Sequence, residues 1–191
     1  MRKLYFQEWT EKTYKGPWFT FDTDPNLKNS RKNMQNYCIG CMSKLLYDMT
    51  TACQGELIDL GHAWNCWKPI LVLKGVETPE ESRDILKANQ DSFFPDREEV
   101  YGKIGGNENP GEQALIMYAR TMDEAQVVRD ELESWAGKIH PNSRALIARG
   151  CNPIHGLLFG DWRKWKRRMP IDPTEENFQT VRQTLKSYFK I

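Results

Sequence analysis

The chain lacks any long hydrophobic segment, and this absence limits the class of protein it can be. None of its apolar runs approaches the roughly 18 residues that a membrane-spanning helix needs. The first residues, Met1 to Glu8, also turn polar too early for a secretory signal peptide. We therefore expect a protein of the cytoplasm, where cysteines stay reduced.

Familiar catalytic motifs are missing as well. The sequence contains no legible pair of catalytic carboxylates and no Ser-His-Asp arrangement. Gly105-Gly106-Asn107 lacks the Gly-Lys-Ser/Thr ending of a phosphate-binding loop and leads into a predicted strand, so we interpret it as a hairpin loop. These absences favour a protein that is not an enzyme.

Histidine is scarce, with three residues in the chain, and one of them offers a catalytic alternative. His155 follows a predicted strand in a Gly/Pro/Asn-rich loop, close to a basic segment. There it could serve as the general acid–base of a metal-independent nuclease. Cys151 could instead be a nucleophile beside His155, whereas the simplest interpretation gives this histidine no catalytic role.

The five cysteines form an odd set, which argues against a closed network of disulfides. Cys-x-x-Cys is a common half of a zinc or iron–sulfur site, and imidazole also suits zinc. The candidate metal ligands are Cys38, Cys41, Cys53, His62 and Cys66. Their spacing matches no standard zinc finger, and Cys38 and Cys41 also lie on the apolar stripe of a predicted helix. They could therefore be structural thiols, and a redox dithiol is a further alternative.

What the sequence does contain is a repeated pattern of strand, capped helix and strand. Apolar strands are predicted at residues 70–73, 100–104, 114–119 and 144–149. Thr78 and Thr121 each precede a helix and are followed three residues later by Glu, the pattern of a capping box. We therefore predict an α+β fold with a ferredoxin-like βαββαβ split unit over residues 69–150.

Two extensions flank this predicted unit. Residues 1–68 contain two short aromatic strands, at 4–9 and 17–21, and a cysteine-bearing helix over 27–53. Residues 151–191 contain a basic aromatic segment and a final amphipathic helix, which begins after Asp172-Pro173-Thr174. We expect the three parts to form one compact globular domain.

Charge is distributed unevenly along the chain. The net charge is +3 over residues 1–36, −6 over 37–159 and +4 over 160–191. The last stretch contains a segment in which five basic side chains lie among two tryptophans: Trp162, Arg163, Lys164, Trp165, Lys166, Arg167 and Arg168. Such a segment can neutralise phosphates and stack on bases, with Lys3, Arg31 and Lys32 as additional contacts.

Three functions follow as hypotheses. The first is nucleic-acid binding through residues 162–168, with RNA favoured over DNA. The second is a zinc or iron–sulfur protein with its ligands between Cys38 and Cys66. The third is a protein–protein adaptor that binds a partner through its aromatic N-terminal segment and its last helix. A solvated basic face or a contact with an anionic membrane would also explain the charge.

Overall fold

The structure is a computed structural model that describes residues 3–9, 18–33, 38–51, 55–106, 111–171 and 174–189. Its strands are β1 Tyr5–Trp9, β2 Trp18–Asp22, β3 Leu57–Asp59, β4 Trp67–Lys74, β5 Tyr101–Gly106, β6 Glu112–Met117, β7 Arg144–Arg149 and β8 Arg168–Pro170. Its α-helices are α1 Lys28–Asn33, α2 Gly40–Thr51, α3 Pro79–Ala88, α4 Met122–Ile139, α5 Asn152–Phe159 and α6 Glu175–Phe189. Within these ranges, no helix is both long and apolar enough to cross a membrane.

The chain divides into two compact units, each built from two segments. The first unit comprises residues 1–32 and 67–147, and the second comprises residues 33–66 and 148–191. The sequence-based boundaries after residues 68 and 150 stay a prediction.

The larger sheet has the strand order β1-β2-β5-β6-β4-β7, and its strands belong to the first unit apart from the last two residues of β7. The pairs β1/β2, β2/β5, β5/β6 and β6/β4 are antiparallel. The prediction of a mixed α+β protein with an antiparallel sheet is thereby confirmed. The two predicted N-terminal strands form β1 and β2, at one end of the strand order.

The apolar core of the first unit lies on one face of the central strands. Leu71, Leu115 and Ile104 are opposite one another in β4, β6 and β5, and all three are fully buried. Phe21 of β2 and Leu132 of α4 belong to the same core cluster. These residues share a face because side chains alternate across a strand and recur every three to four residues along a helix.

Both predicted helix caps are present in the first unit. The Oγ1 atoms of Thr78 and Thr121 accept hydrogen bonds from the backbone N–H groups three residues later, each at 3.1 Å. The Glu81 carboxylate accepts a bond from the backbone N–H of Glu77, one residue before the cap. The two threonine bonds satisfy N–H groups that the first turn of a helix leaves without intrahelical partners.

The second unit is mainly helical. Helix α6 packs against α2 and α5, and its residues Val181 and Leu185 are buried. A short antiparallel pair is formed by β3 and β8, with Ile58 opposite Met169. The helix predicted over residues 27–53 corresponds to two helices. Helix α1 lies in the first unit apart from its last residue, and α2 lies in the second. Residues 34–37 and 52–54 lie outside the described residues.

Candidate metal centre

Cysteines distant in sequence line one small pocket of the second unit. Its lining residues are Cys38, Cys41, His62, Cys66, Gly150 and Cys151. The pocket contains about 210 Å³ of empty space, part of which is open to solvent. That volume includes open solvent, so it is an upper bound on the space that the side chains enclose.

The first two cysteines come from one helical segment. Cys38 lies in a π-helical turn that leads directly into α2, and Cys41 is the second residue of α2. Residues three positions apart lie on the same face of a helix. Both side chains are buried, with exposed fractions of 5% and 8%, and both line the same pocket.

The other two cysteines are held beside each other by the backbone. Cys66 directly follows a 3-10 helix, Gly61–Asn65, which carries His62. The backbone N–H of Gly150 donates to the carbonyl of Cys66 at 2.8 Å, and this bond places Cys151 close to Cys66. Gly150 has a φ of +62°, which favours glycine at this position.

A buried histidine joins the two parts of the cysteine cluster. The Nε2 atom of His155 lies 3.7 Å from Cys41 Sγ, and its Nδ1 atom lies 3.3 Å from the carbonyl oxygen of Cys151. The ring is 2% exposed and packs against the rings of Phe159 and Trp165. His155 thus contacts the candidate site, and its role as a nuclease acid–base stays a prediction.

A buried arginine lies next in sequence to the pocket-lining Gly150. The Arg149 guanidinium lies 3.5 Å from the centre of the Trp64 ring, and its Nε donates to the Trp64 carbonyl at 2.6 Å. Burial lowers the pKa of Arg149 from its usual value, but arginine remains protonated in proteins. The residue therefore carries a positive charge next to Gly150.

Among the described residues, no three Cys, His, Asp or Glu side chains are placed to hold a metal ion as they stand. The four cysteines of the pocket are thiols. Cys53, the fifth candidate, lies outside the described residues. What the structure brings together from the predicted ligand set is therefore Cys38, Cys41, His62 and Cys66.

Cys151 is the pocket residue that the predicted ligand set omitted. It is separated from Cys66 by the whole of β4 to β7, so spacing along the chain carries no sign of their proximity. The sequence contains one signal of the turn at this point, which is Gly150 directly before Cys151. Glycine readily adopts a positive φ, and the positive φ of Gly150 turns the chain sharply before Cys151.

The predicted nucleic-acid segment also lies in the second unit. A 3-10 helix spans Trp162–Lys164 and is followed by β8. The exposed side chains of the segment are Arg163, Lys164, Lys166, Arg167 and Arg168. Trp165 is 4% exposed and donates its indole N–H to the Gly160 carbonyl, so Trp162 is the aromatic residue of this segment that retains partial exposure.

Two carboxylates partly neutralise the basic segment. Asp161 accepts hydrogen bonds from the backbone N–H and the guanidinium of Arg163, and these interactions lower the pKa of Asp161. Asp59 accepts from the backbone N–H of Gly61 and lies 3.4 Å from Arg167. The Gly61 bond, followed by the Arg167 charge, lowers the pKa of Asp59.

The additional basic candidates lie in the first unit. Arg31 donates to the Gln7 side chain, and Lys3 lies over the Tyr5 ring. Lys32 is exposed near the end of α1.

Comparison with known proteins gave no matching family model, curated protein or solved structure.

Proposed function

We propose that the second unit binds a metal centre through Cys38, Cys41, Cys66 and Cys151. The observation that carries this proposal is the presence of all four thiols around one pocket. The candidates came from distant parts of the chain, and a helix stripe alone would not bring Cys66 and Cys151 to Cys41. Thiolates are preferred ligands of zinc and of iron–sulfur clusters.

Binding would include a local adjustment of the thiols, because none of the described groups of three can hold an ion as it stands. A cysteine reaches its sulfur through a single side-chain torsion, which has three staggered positions. Cys66 and Cys151 are both partly exposed. Deprotonation of the thiols would accompany binding, so affinity would fall with decreasing pH.

A location of the protein in the cytoplasm is part of the same proposal. Reduced thiols are what a metal centre requires, and the four cysteines of the pocket are thiols. Reducing conditions in the cytoplasm keep them so.

The metal content of protein purified without oxygen tests the proposal. We expect zinc or iron in stoichiometric amount in the wild type and its loss in Cys66→Ser. Met49→Leu is the matched control, because Met49 is buried on the same helix as Cys41 and the change conserves volume. Wild-type protein that binds neither zinc nor iron, even after both are supplied, would contradict the proposal.

For the first unit we propose a ferredoxin-like split βαββαβ arrangement formed by β4, α3, β5, β6, α4 and β7. Its support is the strand order β5-β6-β4-β7 together with the antiparallel pairs β4/β6 and β5/β6. In that arrangement the first and third strands of the unit are central. An experimental structure that showed β7 antiparallel to β4 would overturn this assignment.

A second candidate function is nucleic-acid binding by residues 162–168, with single-stranded RNA favoured. The observation in its favour is that all five basic side chains of the segment are exposed. Arg163 and Arg167 interact with Asp161 and Asp59, so the phosphate contacts would come mainly from Lys164, Lys166 and Arg168. Trp162 would stack on a base.

Salt dependence separates this candidate from a merely solvated surface. We expect reversal of Lys164, Lys166 and Arg168 to Glu to weaken binding of a single-stranded RNA oligonucleotide, measured by fluorescence anisotropy. The slope of log K against log salt should fall by about 2, since each lost phosphate contact on a single strand removes about 0.7. The matched control is the triple variant in which Lys74, Lys87 and Lys138 are changed to Glu. These lysines are exposed in the first unit, and their reversal changes the net charge by the same amount. An equal effect in both triple variants would contradict the assignment.

A further inference from the structure

We infer that Cys66 and Cys151 are an oxidisable pair of thiols, which hydrogen peroxide converts into a reversible disulfide. The inference assigns a site of covalent modification and the class of reagent, a peroxide, that acts there. It goes beyond the proposed metal-binding function and does not depend on it, because a disulfide needs two thiols and no metal. The lack of a described group of three side chains placed to hold an ion therefore does not count against it.

The backbone holds these two cysteines close together. The 2.8 Å bond from the Gly150 N–H to the Cys66 carbonyl joins the residue before Cys151 to Cys66 itself. A Cβ at Gly150 would lie 3.4 Å from the Cβ of Ala63, and the Ala63 carbonyl accepts the Cys66 N–H. The turn at Gly150 thus packs against the 3-10 helix that precedes Cys66. The Cα of Cys151 is one peptide unit, about 3.8 Å, from that of Gly150.

The side chains of both cysteines line the same pocket. Once open solvent is left out, the space that the lining side chains enclose is about that of one water molecule. So small a space leaves little room for another group between the thiols that line it. This arrangement favours a direct bond between two sulfur atoms.

Exposure distinguishes this pair from the other two cysteines of the pocket. Cys66 and Cys151 are both partly exposed, and part of the pocket is open to solvent. Cys38 and Cys41 are only 5% and 8% exposed. Because oxidation of a thiol depends on access of the oxidant to the sulfur, the partly exposed pair is the one that reacts.

The reaction consumes one peroxide for each disulfide. The sulfur of one thiol attacks a peroxide oxygen, the O–O bond breaks, and a sulfenic acid and one water form. The sulfur of the second thiol then attacks the sulfenic sulfur, the S–O bond breaks, and the disulfide and a second water form. The hydrogen atoms of both thiols leave in the two waters. The two sulfurs together lose the two electrons that reduce the peroxide.

The disulfide would also remove two of the four proposed metal ligands. This consequence, unlike the disulfide itself, rests on the proposed metal-binding function. Oxidation would release the bound metal, and reduction of the disulfide would restore binding, since only a thiol that can lose its proton binds a metal.

Peptide mapping of the oxidised protein tests the inference. The full chain is purified without oxygen, freed of metal by a chelator and treated with hydrogen peroxide, and the remaining thiols are alkylated. Trypsin and a glutamate-specific protease together place Cys66, Cys151 and Cys53 on three separate peptides, while Cys38 and Cys41 share a fourth. We expect the Cys66 and Cys151 peptides to be linked and the five free thiols to decrease by two, both reversibly with dithiothreitol.

Variants show whether the pair is specific. Cys151→Ser should abolish the linked peptides. Cys53→Ser is the matched control, because it removes a cysteine outside the pair, and it should retain the link between Cys66 and Cys151. If Cys151→Ser fails to fold, the map of the wild type still identifies the linked residues.

The possible results also separate the two proposals. A disulfide between Cys38 and Cys41, a link between two chains, or oxidation without any disulfide overturns the inference. Metal binding is measured on protein that has not been exposed to peroxide. A chain that binds neither zinc nor iron but links Cys66 to Cys151 supports the inference and overturns the proposed function. A chain that binds metal but does not form this link has the opposite outcome.

Discussion

At the scale of single residues, two glycines of the first unit differ in the space around them. A Cβ at Gly102 would collide with the carbonyl oxygen of Ile116 and lie 2.7 Å from Cζ of Phe21. A Cβ at Gly137, in α4, would meet nothing within 4 Å. The absence of a side chain at Gly102 therefore permits the close approach of β5 to β6 and to Phe21 of β2. Gly137 serves no such contact, and as a glycine inside a helix it lowers the stability of α4.

We predict opposite effects of alanine at these two positions. Gly102→Ala should lower the free energy of unfolding by about 1–3 kcal/mol, because the added methyl group overpacks the core. Gly137→Ala should raise it by up to about 1 kcal/mol, because alanine restricts the unfolded chain and favours helix. Urea denaturation of both variants measures the difference. Equal stability of Gly102→Ala and the wild type would show that the strands can move apart.

The cysteine cluster shows what single-residue reasoning could and could not predict. Cys38 and Cys41 form a recognisable motif, and Cys66 with His62 was included because both residue types bind metals. Cys151 was not included, because its partners are distant in sequence and it depends on the fold for its position. The burial of Trp165 is equally invisible in the sequence, where an aromatic residue among basic ones suggests exposure.

At the scale of secondary-structure elements, the caps account for how well the helices of the first unit were predicted. Thr121 precedes α4 and accepts the Glu124 N–H at 3.1 Å. A cap depends on residues only a few positions apart, so the sequence contains nearly all the information. The predicted start of each helix therefore agrees with the structure.

Removal of such a cap should have a moderate cost. We predict that Thr121→Ala lowers the free energy of unfolding by about 1 kcal/mol, because the Glu124 N–H loses its acceptor. Thr121→Ser retains the hydroxyl and should cost much less. Urea denaturation compares the two variants, and an equal cost for both would show that the methyl group of Thr121, and not its hydroxyl, stabilises the helix.

The elements around the basic segment were harder to predict. Helix α5, Asn152–Phe159, was interpreted as a loop because it contains Gly, Pro and Asn. Proline is nevertheless common in the first turn of a helix, so Pro153 was a signal for a helix start. Strand β8 has only three residues, Arg168–Pro170, and its pairing with β3 is non-local; short, non-local pairs leave little pattern in a sequence.

The β3–β8 pair should show a pH-dependent contribution from Asp59. The Gly61 N–H and the Arg167 guanidinium lower the pKa of Asp59 below its usual 3.8. A lowered carboxyl pKa contributes stability that is complete above the unfolded-state value and disappears as the pH falls through the folded-state value. We predict this loss below about pH 4, and none at neutral pH.

Arg167→Gln tests the origin of this effect. The pKa of Asp59, followed by nuclear magnetic resonance titration, should rise toward its usual value without reaching it, since the Gly61 bond remains. Arg163→Gln is the matched control, because Arg163 pairs with Asp161. A pKa of Asp59 that changes equally in both variants would contradict a specific contact with Arg167.

At the scale of the whole molecule, each of the two compact units contains its own buried residues. The core of the first unit is a large apolar cluster of sheet and helix residues. The second unit contains the helices α2, α5 and α6, together with the cysteine pocket. A ligand that binds only the folded state stabilises it by mass action, so a metal centre would stabilise the second unit in particular.

Hydrogen exchange with and without metal should show this difference. We predict that removal of the metal by a chelator reduces protection of amides in α2 and α5, while amides in α4 and β6 retain theirs. The physical reason is that metal-binding free energy stabilises the elements that carry the ligands. Mass spectrometry of peptides from each segment gives the result. Equal loss of protection in all four elements would contradict a centre confined to the second unit.

X-ray absorption at the edge of the bound metal is the most direct test of the cysteine-bound centre. We predict a coordination sphere of sulfur atoms at about 2.3 Å, as thiolate ligation requires. The sulfur signal should be retained in His62→Ala, since the proposed ligands are Cys38, Cys41, Cys66 and Cys151. A coordination sphere of nitrogen and oxygen atoms alone would contradict the account.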